Sequence, residues 1–390
     1  MTPVPSPAAA APRVAIVHDW LDTWRGGENV LAEILRLYPH AALYALVDFL
    51  PAGLRNRLGG RRASTSFLQR IPGARWYFRA LLPLFPRAIE SLDLSTFDTI
   101  ISVSHAVAKG VRVQPGQRHL CYCLTPMRYA WDLRDAYFPS TSARALLRPL
   151  ANRVLDRLRD WDRATSAGVT EFAAISHFIA ERIARHYARP SRVVYPPVDT
   201  GYFTPGDDAP VRDYYLAASR WVPYKRIDAI VAAFARTPSR RLIVAGDGPD
   251  APRVRAAAVA AGNVTFVGEV PREQLRDMMR GARAFVFAAE EDFGIMPLEA
   301  QACGTPVIAY RRGGAVETLS VDGGTATAVF FDQQSPSAIA DAVQRFESLA
   351  ALVDPADCRE NALRFETARF CREFAEFTGM PAVARSAAAG

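Results

Sequence analysis

The sequence predicts an α/β protein made of two doubly wound domains, each built on a parallel sheet. Three observations point to this fold class. The chain has 390 residues and is 50% apolar, short apolar runs alternate with helical patterns, and the alternation restarts after a pair of prolines. A chain of this length can bury two cores. An order of strand, helix and strand gives a parallel sheet covered by helices on both faces.

The first half supplies buried strands separated by helical segments. The opening strand at 14–17 is followed by a helical pattern at 27–37 whose apolar residues share one face. Further strands are predicted at 99–103, 120–124 and 172–175. Ser176 follows the last of them and suits the N-cap of the next helix.

A domain boundary is predicted at Tyr195-Pro196-Pro197, because paired prolines can continue neither a helix nor a central strand. The alternation then resumes, with strands at 214–218, 242–245, 264–267, 284–287, 307–309 and 328–331. We therefore predict a disordered tail at 1–12, a first domain at 13–195 and a second domain at 196–358. A C-terminal helix at 359–390 is expected to pack back on the first domain.

Cysteine and hydropathy patterns limit the possible compartments. Five scattered cysteines form neither a disulfide framework nor a metal-binding spacing. The segment 1–12 lacks the charged start and the apolar core of a signal peptide, and no run reaches the roughly 18 uncharged apolar residues that would span a bilayer. We expect a cytoplasmic protein that is soluble or peripheral on the inner face of the cell membrane.

The net charge of +7 rests almost wholly on arginine, and the arginines are unevenly distributed. Eight of them lie between Pro51 and Glu90, interleaved with bulky apolar residues such as Trp76, Phe78 and Leu82. Basic and apolar residues together are typical of a membrane interface. A solvated basic face over a packed helix is an equally open interpretation. None of the usual nucleic-acid-binding motifs accompanies the charge, so no nucleic-acid partner is expected.

The glycine pattern argues against a dinucleotide cofactor. A Gly-x-Gly-x-x-Gly turn would directly follow the first strand, but residues 18–20 are His-Asp-Trp, and Gly26-Gly27 comes later. The turn at 246–249 has two glycines and lacks the third. Hydride transfer is therefore not expected.

The segment 290–304 carries an anion-binding pattern. It follows a strand and reads Glu-Glu-Asp-Phe-Gly-Ile-Met-Pro-Leu-Glu-Ala-Gln-Ala-Cys-Gly. Gly294 lets the backbone approach a ligand closely, and Pro297 suits the first turn of a helix. Free N–H groups near Phe293, Gly294 and Ile295 would point toward an anion such as a diphosphate.

Two cations accompany this segment, and two acids lie within it. Arg220 and Lys225 follow the strand at 214–218, where two cations can neutralise a departing diphosphate. Glu299 is placed in the first turn of the helix, within reach of a ribose diol, and Glu291 precedes the glycine and can reach a different group. The alternatives are a surface loop for the cations, a stabilised helix dipole for Glu299 and a solvated loop acid for Glu291.

This combination closely resembles the retaining glycosyltransferases of family 4, which have the GT-B fold with two domains facing a central cleft. The resemblance is carried by Arg220, Lys225, Glu291, Phe293, Gly294 and Glu299, and extends to Gly26-Gly27-Glu28, Ser104-His105, 245–249 and 313–317. Segments 102–110 and 123–131 resemble bacterial mannosyltransferases that build surface polysaccharides. Ser219 departs from the pattern, since many relatives have glycine there.

The resemblance implies a division of roles in the second domain. Val267 would line the base, Glu299 would bind the ribose, and Arg220 with Lys225 would bind the phosphates. Glu291, together with the backbone of residues Phe293, Gly294 and Ile295, would hold the transferred sugar.

In the first domain, the resemblance implies that Gly26 and Gly27 let a loop close onto the diphosphate, while His105 faces the sugar and the acceptor. The family has no agreed protein nucleophile, and attack on the face from which the diphosphate departs is the usual proposal. Stabilisation of the leaving group then carries much of the catalysis.

The expected donor is GDP-mannose, and the expected acceptor is a glycan or a polyprenyl-diphosphate-linked glycan. No cofactor and no metal are expected. Two other functions stay open on the sequence: a nucleotide-sugar epimerase of the non-hydrolysing kind, and a basic, non-catalytic protein that binds a membrane or nucleic acid.

Overall fold

The chain divides into two compact units. A computed structural model describes residues 12–132, 148–206, 212–258, 261–319 and 326–381. Unit 1 comprises Met1–Ala174, Ala180–Arg192 and Phe374–Gly390, and unit 2 comprises Ile175–Ile179 and Val193–Glu373. The predicted tail at 1–12 lies outside the described residues except for Pro12.

Unit 1 is built on one sheet. Its strands are β1 (Val14–His18), β2 (Ala42–Ala45), β3 (Ser64–Thr65), β4 (Thr99–Ser104), β5 (Arg118–Cys123), β6 (Glu171–Ala174) and β7 (Arg192–Val193). They lie in the order β3-β2-β1-β4-β5-β6-β7, and β1 to β6 pair in parallel. Every residue of β4 is buried, as expected for a central strand covered on both faces.

The helices that accompany this sheet are α1 (Gly26–Leu37), α2 (Ala52–Arg55), α3 (Ala74–Tyr77), α4 (Phe85–Glu90), α5 (Arg148–Thr165) and α6 (His177–Tyr187), the last belonging to unit 1 from residue 180 onward. The predicted face of α1 is confirmed, since Val30, Leu31 and Ile34 are buried. Ser176 is confirmed as a cap of α6, because its Oγ accepts a hydrogen bond from the Ile179 N–H at 3.1 Å.

A buried ion pair ties the segment after β4 to α5. Lys109 and Asp162 are both almost fully buried, with 2.8 Å between Nζ and Oδ1. The other carboxylate oxygen of Asp162 accepts hydrogen bonds from Trp131 and Tyr187, each at 2.8 Å. A buried charge is tolerated only with such partners, so the pair anchors the segment that begins at His105.

Unit 2 has the same design. Its strands are β8 (Tyr214–Ala218), β9 (Arg241–Ala245), β10 (Val264–Gly268), β11 (Ala282–Phe287), β12 (Val307–Tyr310) and β13 (Ala328–Phe331). They form an all-parallel sheet in the order β10-β9-β8-β11-β12-β13. The predicted class of two doubly wound α/β domains is therefore confirmed.

The helices of this part of the chain are α7 (Ile227–Ala235), α8 (Ala251–Ala256), α9 (Arg272–Gly281), α10 (Ile295–Ala302), α11 (Ala315–Thr318), α12 (Pro336–Leu349), α13 (Pro355–Leu363) and α14 (Thr367–Thr378). The single helix expected from 359 onward is wrong. Between α13 and α14 the backbone leaves the helix, because the carbonyl of Phe365 accepts a hydrogen bond from the Val198 N–H at 2.8 Å.

The end of α14 belongs to unit 1. The Phe374 ring lies edge-on to Tyr122, with centroids 5.5 Å apart. The Thr378 hydroxyl hydrogen-bonds the Tyr38 hydroxyl at 2.6 Å. These contacts bury the last turns of α14 against β5 and the residue that follows α1.

Candidate functional site

The candidate site of unit 2 lies at the carboxyl ends of β8 and β11. The strand order of the sheet reverses between these two neighbours, and open parallel sheets bind ligands where the order reverses. The loop after β8 carries Arg220 and Lys225, and the loop after β11 carries Glu291. The sequence therefore places charged residues of both signs at the same edge.

The loop after β8 is held in place by Trp221. Its side chain is fully buried, its backbone N–H donates to the carbonyl of Asp247 at 2.8 Å, and its Nε1 donates to the carbonyl of Ala245 at 3.3 Å. Gly246 has a φ of +110°, and a Cβ there would lie 1.8 Å from the Ser219 carbonyl oxygen. The loops after β8 and β9 thus touch through their backbones, which requires glycine at 246.

An ion pair joins the two charged loops. The Lys225 ammonium contacts the Glu291 carboxylate, and the two side chains are 16% and 17% exposed. Arg220 shares the end of β8 and is exposed, but among the described residues no ion pair links it to Glu291. The structure therefore brings Lys225 and Glu291 together and leaves Arg220 open to solvent.

Two further glycines hold the loop that carries Glu291. The Gly314 N–H donates to the Glu291 carbonyl at 2.8 Å. A Cβ on Gly313 would lie 2.3 Å from that carbonyl oxygen, and one on Gly314 would lie 2.5 Å from the Phe293 Cα. The backbone of 313–314 packs directly on 291–293 and fixes the height of Glu291 above the sheet.

Helix α10 begins at the end of this loop. Gly294 adopts a left-handed conformation with φ of +88°, and Ile295 is the first helical residue. A Cβ on Gly294 would meet nothing closer than 3.7 Å, so glycine is required here by backbone conformation. The first N–H groups of a helix have no partner within it, and the start of α10 is the place where the sequence predicts an anion.

The Phe293 side chain packs inside unit 2. It is buried, and its ring centroid lies 5.9 Å from Tyr195 and 5.6 Å from Phe365. Phe293 can therefore offer a ligand its backbone, as the sequence predicts, while its ring anchors the loop.

Glu299 lies just beyond the first turn of α10, in which it was predicted. Because α10 begins at Ile295, Glu299 is its fifth residue, and the first turn contains no acid. Burial raises the pKa of Glu299 to about 7, partly opposed by the charge of Arg272. Arg272 is itself paired with Asp199 at 2.7 Å. The carboxyl group is half-buried and poised to change charge near neutral pH.

Val267 lies on β10, the edge strand of this sheet, and is 37% exposed. Gly268 follows it with a φ of +74°, which turns the chain away at the strand end. An exposed apolar side chain here is compatible with a planar base.

In unit 1, His105 lies at the corresponding reversal of strand order, between β1 and β4. It follows β4, and its Nδ1 lies 2.9 Å from the carboxylate of Asp19, which follows β1. Asp19 is fully buried and His105 is 29% exposed. Sequence reasoning gave Asp19 only its location at a strand end, because its partner lies 86 residues away.

Gly26 and Gly27 open helix α1. A Cβ on Gly27 would lie 3.0 Å from the terminal methyl group of Leu124, so a larger residue here would require that side chain to shift. Glu28 accepts a hydrogen bond from the Arg25 N–H at 2.8 Å and lies 3.5 Å from Nε2 of the buried His18. Burial lowers the pKa of His18, but the Glu28 carboxylate, together with Asp19 and the Val103 carbonyl, outweighs it and raises the pKa above the ordinary value.

The basic segment between Pro51 and Glu90 matches neither sequence interpretation fully. It folds into short helices and 3₁₀ turns, so a single packed helix is wrong. Phe78 is buried in the core of unit 1, whereas Trp76 is 84% exposed. Arg79 is ion-paired with Asp22 at 2.5 Å. Other exposed residues of the segment include Phe67, Arg70, Arg75, Tyr77 and Arg87.

The described part of the chain contains neither a metal-binding cluster nor a membrane-spanning helix. No group of three or more histidine, cysteine, aspartate or glutamate side chains is arranged to hold a metal ion within 12–132, 148–206, 212–258, 261–319 and 326–381. In the same ranges, no helix combines the length and the hydropathy needed to span a membrane.

Residues 209–365 match the family model of glycosyl transferases, group 1. This group 1 segment contains the Lys225–Glu291 pair, Arg220, the start of α10 and Glu299. It covers most of unit 2.

Two curated relatives extend the comparison. A D-inositol 3-phosphate glycosyltransferase of Mycobacteroides abscessus is 37% identical over 152 residues, which cover 34% of this chain and 34% of that protein. A GDP-mannose-dependent alpha-(1-6)-phosphatidylinositol monomannoside mannosyltransferase of Mycolicibacterium smegmatis is 30% identical over 245 residues, covering 51% of this chain and 63% of that protein. The chain thus spans between a third and two thirds of the length of these relatives.

The fold is similar to solved structures along nearly the whole chain. A sucrose-phosphate synthase from Thermosynechococcus elongatus matches with a TM-score of 0.68 and 20% identity, over 94% of this chain and 98% of that chain. At this identity the likeness concerns the fold alone, and it confirms the predicted GT-B fold.

Proposed function

We propose that the protein is a retaining glycosyltransferase that moves a sugar from a nucleotide-sugar to an acceptor hydroxyl. The observation that carries the proposal is the Lys225–Glu291 ion pair at the carboxyl ends of β8 and β11, inside the group 1 segment. An ammonium, an exposed guanidinium on Arg220 and the start of α10 all supply positive potential at one edge of the sheet.

The proposed reaction exchanges one carbon–oxygen bond for another. The bond between the anomeric carbon and the diphosphate oxygen breaks, and its electron pair stays on the diphosphate. The acceptor oxygen bonds to the anomeric carbon on the same face, and the hydroxyl proton passes to the departing diphosphate. The charge that grows on the diphosphate is what the cations stabilise.

Each predicted site residue has a role in this proposal. Lys225 has three donors, so it can bind a phosphate oxygen while it stays bonded to Glu291. Glu291 then holds hydroxyl groups of the sugar beside the backbone of 293–295. Glu299 binds the ribose, and Val267 lines the base. In unit 1, His105 faces the sugar and the acceptor, and Gly26 with Gly27 lets a loop close onto the diphosphate.

For the donor we propose GDP-mannose. The support is the name of the Mycolicibacterium smegmatis relative, which is described as GDP-mannose-dependent and is 30% identical over 245 residues. The resemblance of segments 102–110 and 123–131 to bacterial mannosyltransferases points the same way.

For the acceptor we propose a glycan or a polyprenyl-diphosphate-linked glycan, met at the inner face of the cell membrane in surface polysaccharide synthesis. The support is the exposed surface formed by Phe67, Arg70, Arg75, Trp76 and Tyr77, which we call the tryptophan surface. Arginine attracts anionic lipids, and an exposed indole suits the headgroup region.

The test is a transfer assay with purified full-length protein. A panel of nucleotide-sugars is incubated with and without a mannose-containing glycolipid acceptor, and the released diphosphate, the donor sugar and the anomeric configuration of the product are measured. The proposal expects release that depends on the acceptor, with retained configuration. A donor sugar that is altered without acceptor would indicate the epimerase, and binding without turnover of any donor would indicate a non-catalytic protein.

A further inference from the structure

Asp19 has an unusual set of partners for a buried carboxylate. Its Oδ2 accepts hydrogen bonds from the backbone N–H groups of His105 at 2.6 Å and Ala106 at 3.0 Å. Its Oδ1 accepts from those of Val107 at 2.5 Å and Ala108 at 2.7 Å. One side chain from the end of β1 thus binds four successive amides after β4.

The fifth partner of Asp19 is the imidazole of His105. Nδ1 of the ring lies 2.9 Å from Oδ2. Burial alone would raise the pKa of Asp19, but the interactions with His105, followed by that with His18, outweigh it and hold the pKa well below the usual range. An ionised carboxylate can only accept hydrogen bonds, so Nδ1 must carry a hydrogen in this contact.

Other contacts fix the plane of the same ring. Trp20 lies edge-on to it, with centroids 4.6 Å apart, and the His18 ring lies 5.7 Å away. Among the described residues, no hydrogen bond involves Nε2 of His105, and the side chain is 29% exposed. Nδ1 is therefore committed to the protein, while Nε2 can reach a ligand.

We propose that Asp19 is a positioning residue that holds His105 in the Nδ1–H tautomer and presents Nε2 as a hydrogen-bond acceptor to a substrate hydroxyl. The inference rests on the proposed function for the identity of that hydroxyl, which belongs to the transferred sugar or to the acceptor. In this tautomer Nε2 can accept a hydrogen bond but cannot donate one, so this atom selects for hydroxyl groups and against phosphate oxygens.

A purely structural role for Asp19 would use the four amide bonds alone. Those bonds would shape the 105–108 turn whatever the orientation of the ring. The contact with Nδ1 is what sets the tautomer, so the test must observe the ring itself and not only stability.

The first measurement is the tautomer of His105 in wild-type protein labelled with nitrogen-15 histidine. The resonances are assigned by comparison with His105→Ala. The proposal expects neutral His105 with a protonated Nδ1 and an unprotonated Nε2. An Nε2–H tautomer would overturn it. This readout needs no activity, so its result is independent of whether the proposed transferase function is correct.

The second measurement is a double-mutant cycle with Asp19→Asn and His105→Ala, read as kcat and KM for transfer. An asparagine cannot accept with both of its polar atoms, so the ring contact or part of the turn is lost. We expect Asp19→Asn to lower kcat about tenfold or more, with little further loss when His105→Ala is already present. Asp98→Asn, an exposed carboxylate that accepts from the Arg13 N–H at 2.8 Å, is the matched control and should leave kcat unchanged.

Fully additive losses would mean that Asp19 does not act through His105. If Asp19→Asn fails to fold, the wild-type tautomer still decides the proposal. If the tautomer is as expected and no donor is turned over, the positioning role stands and the proposed function fails.

Discussion

The Lys225 ammonium is ion-paired with the Glu291 carboxylate, so the loop after β8 and the loop after β11 share one charged contact. The pair lies where the strand order of the sheet reverses. Substitution of either residue therefore removes this ion pair together with the charge of the substituted side chain.

The cations that we assign to the diphosphate should matter for turnover more than for folding. We expect Lys225→Ala and Arg220→Ala each to lower kcat about a hundredfold, roughly 3 kcal/mol, because charge develops on the leaving group. Steady-state transfer kinetics measure the effect. Arg241→Ala is the control, since Arg241 begins β9 at the amino ends of the strands and pairs with Asp213 there. Near-normal turnover in both site variants would refute the assignment.

Glu291 and Glu299 should contribute to the binding of different parts of the donor, the sugar and the nucleotide. Glu291→Ala should reduce transfer about a hundredfold while nucleoside diphosphate binds within about threefold of wild type, because Lys225 stays available to phosphate. Glu299→Ala should instead weaken the binding of the nucleotide. Titration of free GDP by calorimetry compares them, with the exposed neighbour Glu290→Ala as the control. Equal losses of affinity in both site variants would show that the roles are wrongly divided.

Glu299 should make stability depend on pH. Its pKa is raised to about 7 by burial, whereas the unfolded value is about 4.3. Below pH 4 both states hold the proton, so Glu299 contributes no dependence. Between the two values the folded state keeps a proton that the unfolded state has lost, so stability falls as pH rises and the full penalty is present above pH 7.

Glu299→Gln removes this penalty. We expect its melting temperature to exceed that of wild type by about 2–5 °C at pH 8, and the difference to vanish near pH 4. Calorimetric melting across this range measures it. A constant difference at all pH values would mean that the substitution acts through packing and not through the charge.

Turnover should need no divalent metal. Arg220, Lys225 and the N-terminus of α10 already supply positive charge to a diphosphate. We expect excess chelator to leave the transfer rate within about twofold, while a two-metal or Lewis-acid mechanism would lose nearly all of it. Loss of activity that a divalent ion restores would contradict this expectation.

The tryptophan surface should bind anionic membranes. We expect wild-type protein to co-sediment with phosphatidylglycerol vesicles at low salt, and less at high salt, because each arginine contributes roughly 1 kcal/mol. The triple variant Arg70→Ser, Arg75→Ser and Trp76→Ser should lose most of this binding. Arg79 is left intact, because its guanidinium is already paired with Asp22.

The control for this variant removes two arginines and one exposed apolar side chain elsewhere. Arg157, Arg185 and Leu352 are exposed side chains outside the segment between Pro51 and Glu90, and their replacement by serine removes equal charge. If the control loses as much binding as the triple variant, net charge and not the tryptophan surface is responsible. If wild-type protein does not bind at all, the docking proposal fails.

The sequence was sufficient for the six strands of unit 2 and for β1, β4, β5 and β6 of unit 1, because buried parallel strands are apolar and glycine or charge marks where they end. It did not predict the short strands β2, β3 and β7. It also placed Arg220, Lys225 and Glu291 at one edge, since the carboxyl ends of neighbouring strands meet there. It could not reveal the contact between Lys225 and Glu291, which depends on side-chain direction. Pro297 lies in the first turn of α10, as predicted, but Glu299 is the fifth residue, because the helix already begins at Ile295.

The remaining errors have similar physical causes. A run of aromatic residues and arginines does not distinguish one helix from a series of short turns, so Trp76 and Phe78 could not be assigned to opposite environments. The break between α13 and α14 arises from a hydrogen bond to Val198, more than 150 residues away in the chain. Contacts of this range leave no local pattern in the sequence.

The contact of Gly313 and Gly314 with the backbone of 291–293 has a consequence for redesign. Neither position has room for a methyl group, so libraries that vary them would return mostly unfolded protein. Val267 and Ile295 lie beside the same edge without such a constraint, and both are at least partly exposed. An effort to make the protein accept a different donor should therefore begin at those two positions, and treat the glycine pair as part of the scaffold.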